Sequence, residues 1–170
     1  LFHINNVKKF RRRKLGLREI ESLIERLNYQ YYQGVGDNFF KGFKEIEVLM
    51  SAKGRIREIY GNGSKIAVVR LNDGFILPTL LGAEILRKNC PSPRLRVIVS
   101  SKVKDFIIKG RSVYSRHVVE VDENLRPGHE VIVVDEEDSL LAIGRLVLSP
   151  PEILSFKRGV AVKVRKSVGK

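Results

Sequence analysis

Cysteine is nearly absent from this 170-residue chain: Cys90 stands alone. One thiol can close no internal disulfide and build no zinc finger. It fits a reducing compartment, so a cytoplasmic location is expected. The three histidines, His3, His117 and His129, share no metal-ligand spacing. Long apolar runs are missing too, which excludes a membrane span of about 20 residues, and there is no secretory signal region. The chain opens on Leu1 and not on Met, which leaves room for a preceding segment. No nucleophile is paired with a base, no glycine-rich phosphate loop precedes a helix, and no two carboxylates have catalytic spacing. No catalytic, cofactor or metal site is therefore expected. Acidic residues are scarce as well, 19 Asp and Glu against 32 Lys and Arg.

That imbalance leaves a net charge of +13, enough to predict attraction to a polyanion. Both halves share it, with +8 over residues 1–93 and +5 over residues 94–170. Hydrophobic residues at 43% and charged residues at 30% describe a globular chain. The length allows one large domain or two small ones.

Residues 8–14 hold six cations in seven positions. Such a run commonly binds nucleic acid as a solvated arm, so residues 1–16 read as a basic N-terminal arm. Leu17, Ile20, Leu23, Ile24 and Leu27 recur at helical spacing and predict an amphipathic helix, stopped by Gly34-Val35-Gly36. Tyr29, Tyr31 and Tyr32 are expected to pack that helix onto the sheet of the first domain. From residue 44 to 78 the period shortens to two. Asn62-Gly63 and Asp73-Gly74 mark hairpins there, and Thr79 caps a short helix over 80–88. Cys90-Pro91-Ser92-Pro93 breaks the pattern and places a domain boundary. Beyond it come strands over 94–99, 113–121, 130–134, 140–148 and 160–168, with helices over 102–109 and from Ser149 to Gly159. The fold class is α+β: a helix on a small antiparallel sheet (17–89), then a mixed β-barrel (94–170).

Four stretches of the second half give it a recognisable form: FIIKGRSV at 106–113, LRPGHEV at 125–131, LLAIGR at 140–145 and FKRGVAVKVR at 156–165. Together they resemble a PUA domain, an RNA-binding module. In the first half, YYQGVG at 31–36 followed by Phe39-Phe40, GRIR at 54–57, RLNDG at 70–74 and GAE at 82–84 are similar to the domain that precedes the PUA domain in archaeal tRNA-guanine (archaeosine) transglycosylases. Residues from about 28 onward thus resemble the C-terminal portion of that enzyme family. The resemblance implies tRNA binding. It does not carry over base exchange, because the family's catalytic barrel is far larger than this chain and its zinc ligands cannot be mapped onto one cysteine.

The resemblance implies RNA contact near the turn at Lys109, Gly110, Arg111 and Ser112 and near the last strand. Gly110 would let a phosphate or ribose approach the backbone, Arg111 and Arg116 would neutralise phosphates, and Tyr114 would stack on a base. Lys157, Arg158, Lys163 and Arg165 form a second cationic group, which Arg145 joins; alternation puts Lys163 and Arg165 on one exposed face. Phe156 reads as core, and the run Asp135–Asp138 as a solvated turn away from the RNA. The expected function is that of a non-catalytic protein binding tRNA or another structured RNA and presenting it to a modification enzyme on a separate chain. Two other roles fit the same residues. One is a protein-interaction subunit docking a transglycosylase chain through the first domain. The other is a translation-associated protein meeting tRNA on the ribosome.

Overall fold

The protein is described from a computed structural model over residues 10–170. The first sheet has five antiparallel strands in chain order: β1 (Arg11–Lys14), β2 (Ile46–Met50), β3 (Ile56–Gly61), β4 (Ser64–Val69) and β5 (Ile76–Pro78). Of the basic run, Lys8 and Lys9 lie outside the described residues. Arg11 to Lys14 do not form a solvated arm but the edge strand β1, in register with Met50 to Glu47. A strand made only of cations is stable there because an edge has one neighbour, and charge on it discourages further pairing. Asn62 and Gly63, with φ of 47° and 85°, turn β3 into β4 as the Asn-Gly pair predicts.

Helix α1 (Leu17–Gln30) begins where Glu19 accepts the Gly16 N–H at 3.0 Å and takes both ends of the Arg13 guanidinium. Arg13, then the Gly16 N–H, holds the Glu19 carboxyl down at about 2. Leu23 and Leu27 are buried, whereas Leu17 lies outside the apolar stripe and is exposed. The chain does not simply stop after α1. A one-turn-and-a-half helix α2 (Val35–Phe40) follows and buries Phe39 and Phe40. Helix α3 (Leu80–Asn89) starts at Thr79, whose hydroxyl accepts the Gly82 N–H.

The second sheet has six strands: β6 (Arg96–Val99), β7 (Val113–Tyr114), β8 (Val118–Val121), β9 (Glu130–Val134), β10 (Leu140–Leu146) and β11 (Val160–Ser167). Their order is β7-β11-β10-β9-β6-β8, antiparallel except for β6 with β9. The single strand expected over 113–121 is two strands, parted by a 3-10 turn at Ser115–His117. That turn joins the two edges of the sheet, so the sheet curls into a nearly closed mixed barrel. Val97, Val99, Val131–Val134, Leu141–Ile143 and Val162 are all buried, so β9 and β10 are covered on both the inner and the outer face of the barrel. Helix α4 (Lys104–Ile108), entered through a 3-10 turn at Ser101–Val103, and helix α5 (Pro150–Phe156) lie in the connections of the barrel. Lys157, with φ of 50°, supplies the left-handed residue that ends α5, a place the sequence reading gave to Gly159.

The two sheets meet at polar contacts. Arg96 is 1% exposed. Its guanidinium donates to Arg87 O at 2.6 Å, Arg94 O at 2.7 Å and both Asp138 oxygens at 2.6 and 3.2 Å. Arg87 O belongs to the last turn of α3, where carbonyls lack partners within the helix. Tyr31 Oη donates to Glu130 O, and Tyr32 Oη to Asp122 Oδ2 at 2.6 Å. Tyr31 and Tyr32 therefore tie the end of α1 to the barrel, a partner the sequence reading did not assign them, while Tyr29 is exposed.

The acidic turn is solvated only in part: Glu136 and Glu137 are exposed, while Asp135 and Asp138 turn inward, contrary to expectation. Asp135 is buried and accepts the Ser139 and Glu137 N–H groups and Lys104 Nζ. Asp138 holds Arg96 and Arg87, and Glu136 accepts the Ser101 N–H. A charge that would repel solvent-borne RNA is spent on tying β9 and β10 to α3 and β6.

Removing one partner of a fully buried ion pair costs roughly 3–5 kcal/mol. Asp138 keeps 35% side-chain exposure, so part of that loss is recovered by water. Arg96→Met is expected to destabilise the protein by about 2–3 kcal/mol, measured by urea unfolding. A loss below about 0.5 kcal/mol, the scale of an ordinary surface change, would refute this account of the seam.

Candidate nucleic-acid interface

The turn after α4 is built by backbone geometry. Gly110 donates to Ile107 O at 2.8 Å and Arg111 to Phe106 O at 3.1 Å. Gly110 sits at φ 86°, a conformation that a side chain would strain. The end of β11 is fastened to the same place. Ser167 Oγ donates to Ile108 O at 2.6 Å. A Cβ on Gly169 would lie 2.7 Å from Ile108 O, and one on Gly110 would lie 3.2 Å from Lys170 Nζ. The Lys170 ammonium therefore hangs over the bare backbone of Gly110. Lys109 and Arg111 flank it, exposed, while Ser112 is half-buried. The sequence reading missed Lys170; its only signal was a terminal lysine behind a glycine.

Strand register orders the rest. Val113 pairs with Val162 and Tyr114 with Val160. Residues 109–114 thus run antiparallel along β11, with Gly110 at its end and Tyr114 at its start. At the start, Arg116 holds its guanidinium 5.8 Å from the Tyr114 ring centre, and its Nε donates to His117 Nε2 at 3.1 Å. Lys157 and Arg158 are exposed in the turn that leads into Val160. Phe156 is no core residue: it is 68% exposed beside them, because α5 is two turns long and buries only Pro150 and Ile153.

Arg145 and Lys163 face each other across β10 and β11, next to the bulge at Ile143/Gly144. Both are exposed. Arg165 differs from its expected role. Its Nε donates to Glu130 Oε1 at 2.6 Å and its other nitrogen to Pro78 O at 2.7 Å. The guanidinium is committed to the seam between β5 and the barrel, so its charge is answered by a buried carboxylate. Of the eleven candidates, ten line the β7–β11 edge and the adjoining β10–β11 face. Arg165 stands at their border with a structural task.

Glu130 is the one strongly desolvated acid in this region. Burial pushes its carboxyl above the usual glutamate value of 4.5, and Arg165 offsets this only in part. Among the described residues, no cluster of His, Cys, Asp and Glu can hold a metal ion, and no helix is long and apolar enough to cross a membrane.

Comparisons with known proteins cover both halves of the chain. Residues 95–168 match the PUA domain, and residues 24–93 match the patch-forming domain C2 of tRNA-guanine transglycosylase. The chain is a C2 patch-forming domain joined to a PUA domain. Its homologues are the C-terminal portion of archaeal tRNA-guanine transglycosylases. The tRNA-guanine(15) transglycosylase of Methanococcus vannielii is 39% identical over 164 residues, covering 96% of this chain and 24% of the relative. That of Pyrococcus abyssi is 40% identical over 133 residues, covering 78% and 23%. The chain therefore spans about a quarter of the length of the relatives it matches. A hypothetical protein of Pyrococcus horikoshii shares the fold along 94% of this chain and 96% of its own, with a TM-score of 0.74 at 23% identity. A PUA domain protein of Thermoplasma acidophilum does so over 94% and 95%, with a TM-score of 0.66 at 19% identity.

The raised Glu130 value has a signed consequence. A carboxyl with a folded value above its unfolded one stabilises the fold most below the unfolded value, and that stability is lost as pH rises through the folded one. Between about pH 4 and pH 7, wild-type stability is expected to fall relative to that of Glu130→Gln. Urea unfolding across that range checks it, and a wild-type curve rising against the variant would contradict it.

Proposed function

We propose that this C2–PUA chain is a non-catalytic RNA-binding protein that takes tRNA, or another structured RNA, on the barrel edge and presents it to a modification enzyme on a separate chain. The observation that carries this reading is the Gly110 turn. Its bare backbone lies under Lys170 and between Lys109 and Arg111, none of which makes an ion pair among the described residues. A phosphate would meet three cations there, at a glycine that carries no side chain of its own. Arg145, Lys163, Arg116, Lys157 and Arg158 extend the track along β11, with Tyr114 as a stacking surface. A rigid edge of this kind suits an A-form stem, which is recognised by shape, phosphates and 2′-hydroxyls. The PUA match supports RNA as ligand, and the relatives' name supports tRNA. Base exchange is not assigned to this chain, since the match covers only the relatives' C-terminal quarter. We place the working division at residues 90–93, with β1 belonging to the first unit, and the protein in the cytoplasm.

The same coverage favours one second reading. The remaining three quarters of the relatives, supplied by another chain, would make this one a docking subunit. Co-purification with a transglycosylase chain, without affinity for tRNA, would decide for it.

Purified protein is expected to bind tRNA with a log–log salt slope of about −0.7 to −0.9 per phosphate contacted. Arg111→Ala and Lys109→Ala should each weaken binding and flatten the slope by about one unit. A filter-binding titration checks both, and a wild-type slope near zero would sink the reading.

A further inference from the structure

The outer face of the first sheet is divided in charge. Cross-strand register sets Arg12, Leu49, Glu58 and Val68 side by side; their neighbours Val48, Ile59 and Ala67 turn the other way and are fully buried. Across β1 to β4 cations meet carboxylates: Arg12 with Glu47 at 2.8 Å, Lys14 with Glu45, and Lys65 with Glu58 at 3.2 Å. Arg12 also lies 4.0 Å above the Tyr60 ring. The turn between β2 and β3 reverses this balance. Lys53 and Arg55 in the turn, and Arg57 at the start of β3, make no ion pair among the described residues.

A groove runs beside that turn. Two adjoining cavities of about 550 and 470 Å³ share Phe10, Arg57, Leu71 and Asn72. Leu49 and Val68 floor the first, and Lys53 and Arg55 rim the second. Phe10 and Leu71 are 53% and 52% exposed, although both are large and apolar. A third cleft of about 310 Å³ shares Arg55, Arg70 and Leu71 with the others and adds Arg26. The bordering carboxylates are already engaged, Glu58 by Tyr60 and Lys65 and Asp73 by Arg70.

We propose that this groove is a second RNA site, separate from the barrel edge, and that it takes a single-stranded segment. An unstacked base would lie against Phe10 and Leu71, and the flanking phosphates would lie on Lys53, Arg55 and Arg57. A paired stem has its base faces stacked inside and offers nothing to an exposed ring. A single strand offers both a base face and a phosphate at each step, matching an apolar floor with a cationic rim.

The test is fluorescence anisotropy of the full chain with a labelled oligoadenylate of about ten nucleotides, with a thermal melt of each variant to confirm folding. Stacking on an aromatic ring is worth about 1–3 kcal/mol per base, so Phe10→Ala and the milder Phe10→Leu should each raise Kd about fivefold or more. Arg55→Glu with Arg57→Glu should raise it about tenfold or more. Lys109→Ala with Arg111→Ala should weaken oligonucleotide binding less than either groove change does, since those cations meet phosphates only at the barrel edge. The proposal is overturned if folded groove variants bind the oligonucleotide as wild type does, including where they lose a protein partner instead. It is equally overturned if only the barrel variant loses binding, or if the wild type does not bind. Affinity for tRNA in the barrel variant is read separately, so the two RNA sites succeed or fail on different measurements.

Discussion

A guanidinium withdrawn from water must have its N–H groups answered, and at Arg96 the answers come from three separate places. The C-terminal turn of α3 supplies Arg87 O, the link between the sheets supplies Arg94 O, and the turn between β9 and β10 supplies Asp138. None of these groups can shift alone without leaving a buried charge or an open carbonyl. The placement of the first sheet against the barrel follows from that requirement. Tyr31, Tyr32 and Arg165 reinforce it, each reaching across with one directional hydrogen bond to a buried or half-buried partner.

The same economy decides which cations remain free. The chain has few carboxylates, and the structure ties up several of them. Glu19 holds the start of α1, Asp122 receives Tyr32 and the Leu95 N–H, Glu130 faces Arg165, and Asp135 and Asp138 knit the acidic turn. Where these acids stand, the neighbouring cations are neutralised. Where they are lacking, as at the Gly110 turn and at the turn between β2 and β3, positive charge is left facing solvent. Attraction to a polyanion is set by such local surplus and much less by the total of +13.

Much of the fold was legible in the residues because it rests on local rules. The Asn-Gly hairpin, the Thr79 cap, the proline break at 91–93 and the period-two strands each depend on a few neighbours in sequence. Readings failed where a distant partner overrode a local preference. Four consecutive cations at 11–14 look like solvated chain, yet β2 offers them an open edge. Four acids at 135–138 look like a surface turn, yet Arg96, Arg87 and Lys104 draw two of them inward. Tyr29 and Tyr31 are nearly alike in sequence context, and one is exposed while the other is held by the barrel.

From the sequence alone came the α+β class, the family resemblance, the basic character of both halves and the candidate turn at Lys109–Arg116. All of these are carried by composition, spacing or short motifs, which do not depend on where remote residues end up. Only the tertiary structure placed Lys170 over Gly110, took Arg165 out of the row of free cations, and gathered Phe10, Leu71 and the cations of residues 53–57 around one groove. Those outcomes join positions dozens of residues apart. Their geometry is set by strand register and by the need to pair buried charge, and neither is written in any single stretch of the chain.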